Sequence, residues 1–196
     1  MTPQHRQQHR HQIGPNTAKA PFVVLSDKDK PKVEPPAIVM LNPKFTVNIA
    51  QMIRNCACYG IEWLIVTGER IQIPSGQKGD RLPRQERMRQ YRTVRVLQSD
   101  FPSVYFPKAP IIGVELTPGA MPLPYFEHPP AGVYVFGPED GSVTPGWKAL
   151  CHHIVRIPSL HCLNVAVAGA VILNHRMESL WRQGKGSLLT LDKDRG

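Results

Sequence analysis

Apolar residues recur along this chain in short blocks separated by polar, amphipathic stretches, and the alternation predicts strands and helices in turn. Ala37 to Leu41 is an unbroken apolar run that stops at Asn42-Pro43, the pattern of a buried strand leaving its sheet. Thr46 to Tyr59 has helical spacing and ends at Gly60. Further strands are predicted over Glu62–Thr67, Val94–Leu97, Ile111–Leu116, Gly132–Phe136 and His153–Ile157. Pro83–Tyr91 reads as a short basic helix, Thr144 as the cap of a helix to Leu150, and Leu163 to Gln183 as a long final helix. The segment from Ala120 to Pro130 holds four prolines and leaves room for one helical turn at most. Strands alternating with helices imply an α/β domain with a parallel sheet covered on both faces.

The ends differ from this middle. Residues 1–36 are rich in His, Gln, Arg, Lys and Pro and offer little to bury, so they read as a basic, Pro-rich tail, with one short added strand at Phe22 to Leu25. His5, His9 and His11 belong to that tail and are not read as metal ligands. The domain then covers 37–183, with a second tail over 184–196. A hydrophobic fraction of 41% supports a full core in a chain of 196 residues. The longest apolar stretch, Val165 to Leu173, is too short to cross a bilayer, and residues 1–12 have no signal-peptide pattern. Cys56, Cys58, Cys151 and Cys162 show no paired metal-site spacing, which suits a reduced, cytoplasmic protein without structural metal.

Charge adds a partner class. The net charge is +9, and eight basic residues fall between Arg70 and Arg95 against only Asp80 and Glu86. A concentration of one sign attracts polyanions and binds phosphates with salt-dependent affinity. Arg81, Arg84, Arg87 and Arg89 are its centre, and with aromatics few, phosphate positioning is favoured over base stacking.

Three strand-end turns carry the chemistry. Phe136-Gly137-Pro138-Glu139-Asp140-Gly141 follows one strand, Ile157-Pro158-Ser159 another, and Leu163-Asn164-Val165 opens the last helix. Such loops can line one crevice at the carboxyl edge of a parallel sheet, where open α/β folds bind ligands. No G-x-G-x-x-G follows the first strand and no G-x-x-x-x-G-K-[ST] is present, so neither a dinucleotide nor a nucleoside triphosphate site is indicated. On a helical wheel, Val47, Ala50, Ile53 and Ala57 form an apolar stripe, and Asn48, Gln51 and Asn55 the opposite face. Arg54 falls at the boundary, placed either to reach past a packed interface or to extend into solvent.

Together with Asn42-Pro43 and Asn48-Ile49-Ala50…Arg54, these turns resemble the SpoU/TrmH group of SPOUT RNA methyltransferases over roughly residues 37 to 183. The resemblance implies a SPOUT fold with a C-terminal deep trefoil knot, which the periodicity itself does not reveal. It implies S-adenosylmethionine as cofactor, held by Leu116, Thr117, Phe136, Gly137, Gly141, Ile157, Cys162 and Leu163, mainly through backbone groups. It makes Arg54 the catalytic arginine near a substrate ribose 2′-hydroxyl, Asn48 its companion on the same helix, and Glu139 and Asn164 the organisers of the pocket. Asn164 also suits a helix cap. Cys162 departs from the serine usual before Leu-Asn, and a thiol is the weaker hydrogen-bond donor. The implied function is methyl transfer to a ribose 2′-oxygen of RNA, tRNA ahead of rRNA, by a homodimer without a metal or a membrane. A non-catalytic RNA-binding protein of this fold and a knotted base methyltransferase are the alternatives.

Overall fold

The computed structural model describes residues 23–71, 73 and 93–186. Among the described residues, eight strands form one all-parallel sheet: β1 (Val23–Ser26), β2 (Ala37–Met40), β3 (Trp63–Val66), β4 (Arg95–Gln98), β5 (Ile111–Val114), β6 (Met121–Pro122), β7 (Val133–Phe136) and β8 (His153–Arg156). Their order is β1-β4-β3-β2-β7-β5-β8-β6. The α-helices of the described residues are α1 (Thr46–Cys58), α2 (Pro145–Leu150) and α3 (Val165–Arg182).

The continuous apolar runs become the centre of the sheet because only there are both faces covered. Every residue of β2, β3 and β7 is buried. Alternate side chains serve two cores: Ile38, Met40, Leu64, Val66, Tyr134 and Phe136 pack in the layer that includes residues of α1 and α3. Ala37, Val39, Trp63, Ile65, Val133 and Val135 pack in the opposite layer with Phe106 and, at its margin, Trp147 of α2. Helices α1 and α3 approach closely at Gly169, where an added Cβ would lie 2.5 Å from Met52 Sδ. Asn55 Nδ2 donates to Ala166 O at 2.7 Å across the same seam.

Several details differ from the sequence expectation. The strand expected near Phe22 to Leu25 is present as β1 and pairs in parallel with β4, so the sheet begins within the segment read as tail. Strand β6 was not expected, since proline lacks a ladder donor; at the sheet's margin beside β8 that loss is tolerated. Helix α3 starts at Val165 rather than Leu163, because Asn164 caps it by accepting from Ala166 N at 2.9 Å and Val167 N at 3.3 Å. Thr144 caps α2 as its sequence indicates. The buried stripe of α1 runs through Ile49, Met52, Ile53 and Cys56 and includes Asn48, which the wheel assigned to the polar face. The basic helix expected over Pro83–Tyr91, with Arg81, Arg84, Arg87 and Arg89, lies outside the described residues.

Candidate active site

The carboxyl ends of β5, β7 and β8 and the first turns of α1 and α3 enclose a cavity of about 370 Å³. Its lining includes Leu116, Phe136, Gly137, Gly141, Ile157, Cys162 and Leu163, together with Asn48, Glu139 and Asn164. Ten of the twelve residues predicted for catalysis and cofactor binding therefore converge on one space, although they span positions 48 to 164. Two do not. Thr117 lines an adjoining, more open groove with Pro118, Met121 and Arg156. Arg54 is exposed on α1 and is not part of the lining.

A hydrogen-bonded chain fixes the polar wall. Glu139 accepts twice, from Asn48 Nδ2 at 2.5 Å and from the Lys44 amide at 2.7 Å. Asn164 Nδ2 donates to Asn48 Oδ1 at 2.9 Å while its own Oδ1 caps α3. Asn48 is 3% exposed, and its place in an otherwise apolar stripe is viable because both ends of its amide are satisfied. The wheel misplaced it because its partners lie 91 and 116 residues away in sequence.

Gly137 sets the floor of the β7 loop. A Cβ there would sit 2.8 Å from Val143 N and 2.9 Å from the Ser142 carbonyl carbon, so any side chain would push that loop apart. Glu115, not singled out from the sequence, lines the cavity and accepts from Val143 N at 2.7 Å. It also faces Lys148 Nζ at 3.8 Å. The signal was available: Glu115 is an acidic residue at the end of an otherwise apolar run. Phe45 is a further unforeseen lining residue, while Ser159 joins the lining from the turn after β8, its hydroxyl lying within reach of the Ile157 and His161 carbonyl oxygens. Among the described residues, the lining contains two carboxylates and neither Lys nor Arg, which favours a ligand carrying positive charge.

Residues 35–174 match the family model described as the SpoU rRNA methylase family. The chain belongs to that family. Solved structures agree on the fold of this SpoU-family protein. One is the SpoU methyltransferase AviRb from Streptomyces viridochromogenes in complex with AdoMet: 18% identity, TM-score 0.63, covering 82% of this chain and 65% of that one. Another is the A. aeolicus TrmH/SpoU tRNA modifying enzyme, at 18% identity and TM-score 0.63, covering 79% and 80%. A third, solved for the 2-OH methylation of C/U34 on tRNA, has 19% identity and TM-score 0.60, covering 83% of this chain and 99% of that one. No curated protein sequence matches this SpoU-family chain. Among the described residues, no helix is long and apolar enough to cross a membrane.

Proposed function

We propose that this chain is an S-adenosylmethionine-dependent RNA methyltransferase acting on a ribose 2′-hydroxyl, with tRNA as the preferred substrate class. The observation that carries the reading is the Glu139–Asn48–Asn164 chain on the wall of the strand-end cavity. Family membership supports methyl transfer, and two structural neighbours described in connection with tRNA modification support the choice of substrate.

The cavity fits the proposed cofactor. Its volume falls within the range of small-molecule sites, roughly 300–1,000 Å³. Its two carboxylates suit a sulfonium cation, and the close approach at Gly137 is made of backbone rather than side chain. Leu116, Phe136, Gly137, Gly141, Ile157, Cys162 and Leu163 would hold it, and Thr117 would border it from the adjoining groove. Bound there, S-adenosylmethionine supplies a methyl carbon already activated by its thioether leaving group.

The protein's part is then alignment. Both carboxylate oxygens of Glu139 are engaged, so this residue serves as an anchor that orients Asn48 and the Lys44 backbone. Asn164 locks the start of α3 against that anchor. Arg54 is assigned the substrate side. A guanidinium stays protonated and cannot act as a base, but it can bind the neighbouring phosphate and stabilise a developing alkoxide. Its exposure outside the lining of its own chain's cavity fits a homodimer in which it serves the partner's site. Val167 and Val171, four residues apart on α3 and both partly exposed, provide an apolar surface for that association.

The trefoil knot belongs to the same proposal. Strand β8 lies between β5 and β6, which are joined by residues 115–120, and this order fits a chain end threaded beneath that connection. The test is incubation with labelled S-adenosylmethionine and total RNA, followed by nucleoside analysis. A 2′-O-methylated nucleoside in the tRNA fraction is expected. A labelled base would refute the ribose assignment, and the absence of any labelled nucleoside would refute catalysis.

A further inference from the structure

Beside the cavity, three adjacent strands deliver an exposed charge cluster. Lys44 follows β2, Arg70 follows β3 and Asp140 follows β7, and the order β3-β2-β7 sets their loops side by side at one sheet edge. Arg70 Nη1 lies 2.7 Å from Asp140 Oδ1, and Lys44 Nζ lies 3.5 Å from Asp140 Oδ2. The three side chains are 40–49% exposed. Ion pairs this accessible contribute little to stability, so the cluster is poorly explained as a fold support. The neighbouring Glu139 does not compete for these cations, since its oxygens are taken by Asn48 and the Lys44 amide.

The arrangement presents two cations from different loops to two oxygens of one anionic group. A phosphodiester offers the same arrangement: two non-bridging oxygens on one atom. Arg70 is also the first of the basic residues that run to Arg95. Lys44 adjoins the cavity-lining Phe45, and Asp140 adjoins Glu139 in the cavity wall.

We infer that Lys44 and Arg70 form a phosphate site for the RNA backbone at the cavity mouth, and that Asp140 occupies it until substrate displaces the carboxylate. The inference rests on the substrate being RNA, as proposed above. Asp140 thereby sets a threshold: only a polyanion that gains further contacts along the basic segment competes well with a tethered carboxylate. A single mononucleotide, lacking those contacts, is disfavoured. The Arg70 hydrogen bond holds the Asp140 carboxyl below the usual carboxylate range, so the guard stays charged at neutral pH.

The test uses fluorescein-labelled bulk tRNA, read by anisotropy over a range of salt, against the full chain and four variants. Asp140→Asn should bind about three- to tenfold more tightly, since two exposed cations lose their internal partner. Lys44→Ala and Arg70→Ala should each bind more weakly and flatten log K against log salt by about 0.7–0.9. In an Arg70→Ala background, Asp140→Asn should gain less than it does alone. Unchanged or weaker tRNA binding by Asp140→Asn overturns the site. So does a loss of S-adenosylmethionine affinity by calorimetry in Lys44→Ala or Arg70→Ala with tRNA affinity intact, which would make the cofactor carboxylate the anion held there. Failure of the unmodified chain to bind tRNA at all would instead refute RNA as the substrate.

Discussion

Helix α3 ends on two polar clusters that solve burial in opposite ways. Its first turn meets the cavity through Asn164, Asn48 and Glu139, where amide dipoles and one anchored carboxylate satisfy each other. Its last turns meet a sealed cluster centred on His128, which is 1% exposed. There His128 Nδ1 lies 2.7 Å from the Tyr134 hydroxyl and Nε2 lies 2.9 Å from His175 Nδ1. Ser179 Oγ accepts from the His128 amide at 3.2 Å, and Arg176 Nη2 donates to Pro130 O at 2.6 Å. Amides do not titrate, so the Asn48–Asn164 link at the cavity end keeps its form over a wide pH range. Imidazoles do, and burial, helped by the nearby His175 and Arg176 charges, pushes His128 down to about 3. On the proposed function, one end of the helix faces a ligand and the other holds the fold. Changes at the two ends should therefore separate activity from stability.

The largest expected effect tests the functional end from outside its hydrogen-bonded chain. Arg54→Ala should lower methyl transfer by about 10²–10³ while S-adenosylmethionine still binds and the melting temperature holds, because the side chain is exposed. Arg54→Lys should restore little, since a point charge cannot reproduce the planar fork. Mixing Arg54→Ala with Gly137→Trp, whose side chain has no room beside Val143, should recover partial activity if arginine and cofactor come from different protomers. Subunit exchange is checked separately by mass. Near-normal turnover of Arg54→Ala would leave that arginine a solvated side chain.

Within the functional end, Glu139→Ala removes the acceptor of both Asn48 and the Lys44 amide. Stranding a buried amide costs about 1–3 kcal/mol, measured by denaturant unfolding, and cofactor affinity should fall with it. A variant that loses stability but binds S-adenosylmethionine as before would break the contrast between the two ends.

At the sealed end the sign of the pH effect is fixed by which state holds the proton. The folded His128 stays neutral down to about pH 3, whereas an unfolded histidine protonates near 6.5. Between those values the unfolded chain binds more protons, so stability falls as pH falls, by as much as about 1.4 kcal/mol per pH unit for one group. His175 is shifted in the same direction, chiefly by burial. His128→Gln should flatten this acid limb in thermal melts from pH 7 to 4. An unchanged slope would place the acid sensitivity elsewhere.

The two ends also differ in how far the sequence discloses them. The cavity end is legible because its residues sit in turns, where Gly137, Pro138 and Asn164 stand out between apolar runs. Strands β2, β3 and β7 are equally legible, being apolar at every position. The sealed cluster is not. His128 lies among prolines, and His175 and Ser179 look like the polar side of an amphipathic helix until the loop before β7 folds onto them. The pairing of Asn48 with Glu139 and of Arg70 with Asp140 was hidden for the same reason, since long-range pairing leaves no local period. Strand β6 escaped because two residues, one of them proline, are too few to show alternation.

The smallest effect is the cleanest separation. Ser179 is 4% exposed, and its oxygen receives both the His128 amide and Gln183 Nε2, the latter at 3.0 Å. Ser179→Ala removes that acceptor without opening a large cavity, since one oxygen is lost from an otherwise packed helix. Gln183 Nε2 also reaches the His128 carbonyl at 3.3 Å and keeps that partner, so the stranded group is the His128 amide alone. The cost should be about 1 kcal/mol, a melting shift of about 2–4 °C for a domain of this size. Because Ser179 lies near the opposite end of α3 from Asn164, S-adenosylmethionine affinity and methyl transfer should stay at the level of the unmodified chain when assayed well below the melting temperature. A fall in cofactor affinity without a fall in stability would mean that α3 transmits the sealed cluster's geometry to the cavity, and that the two ends are one device.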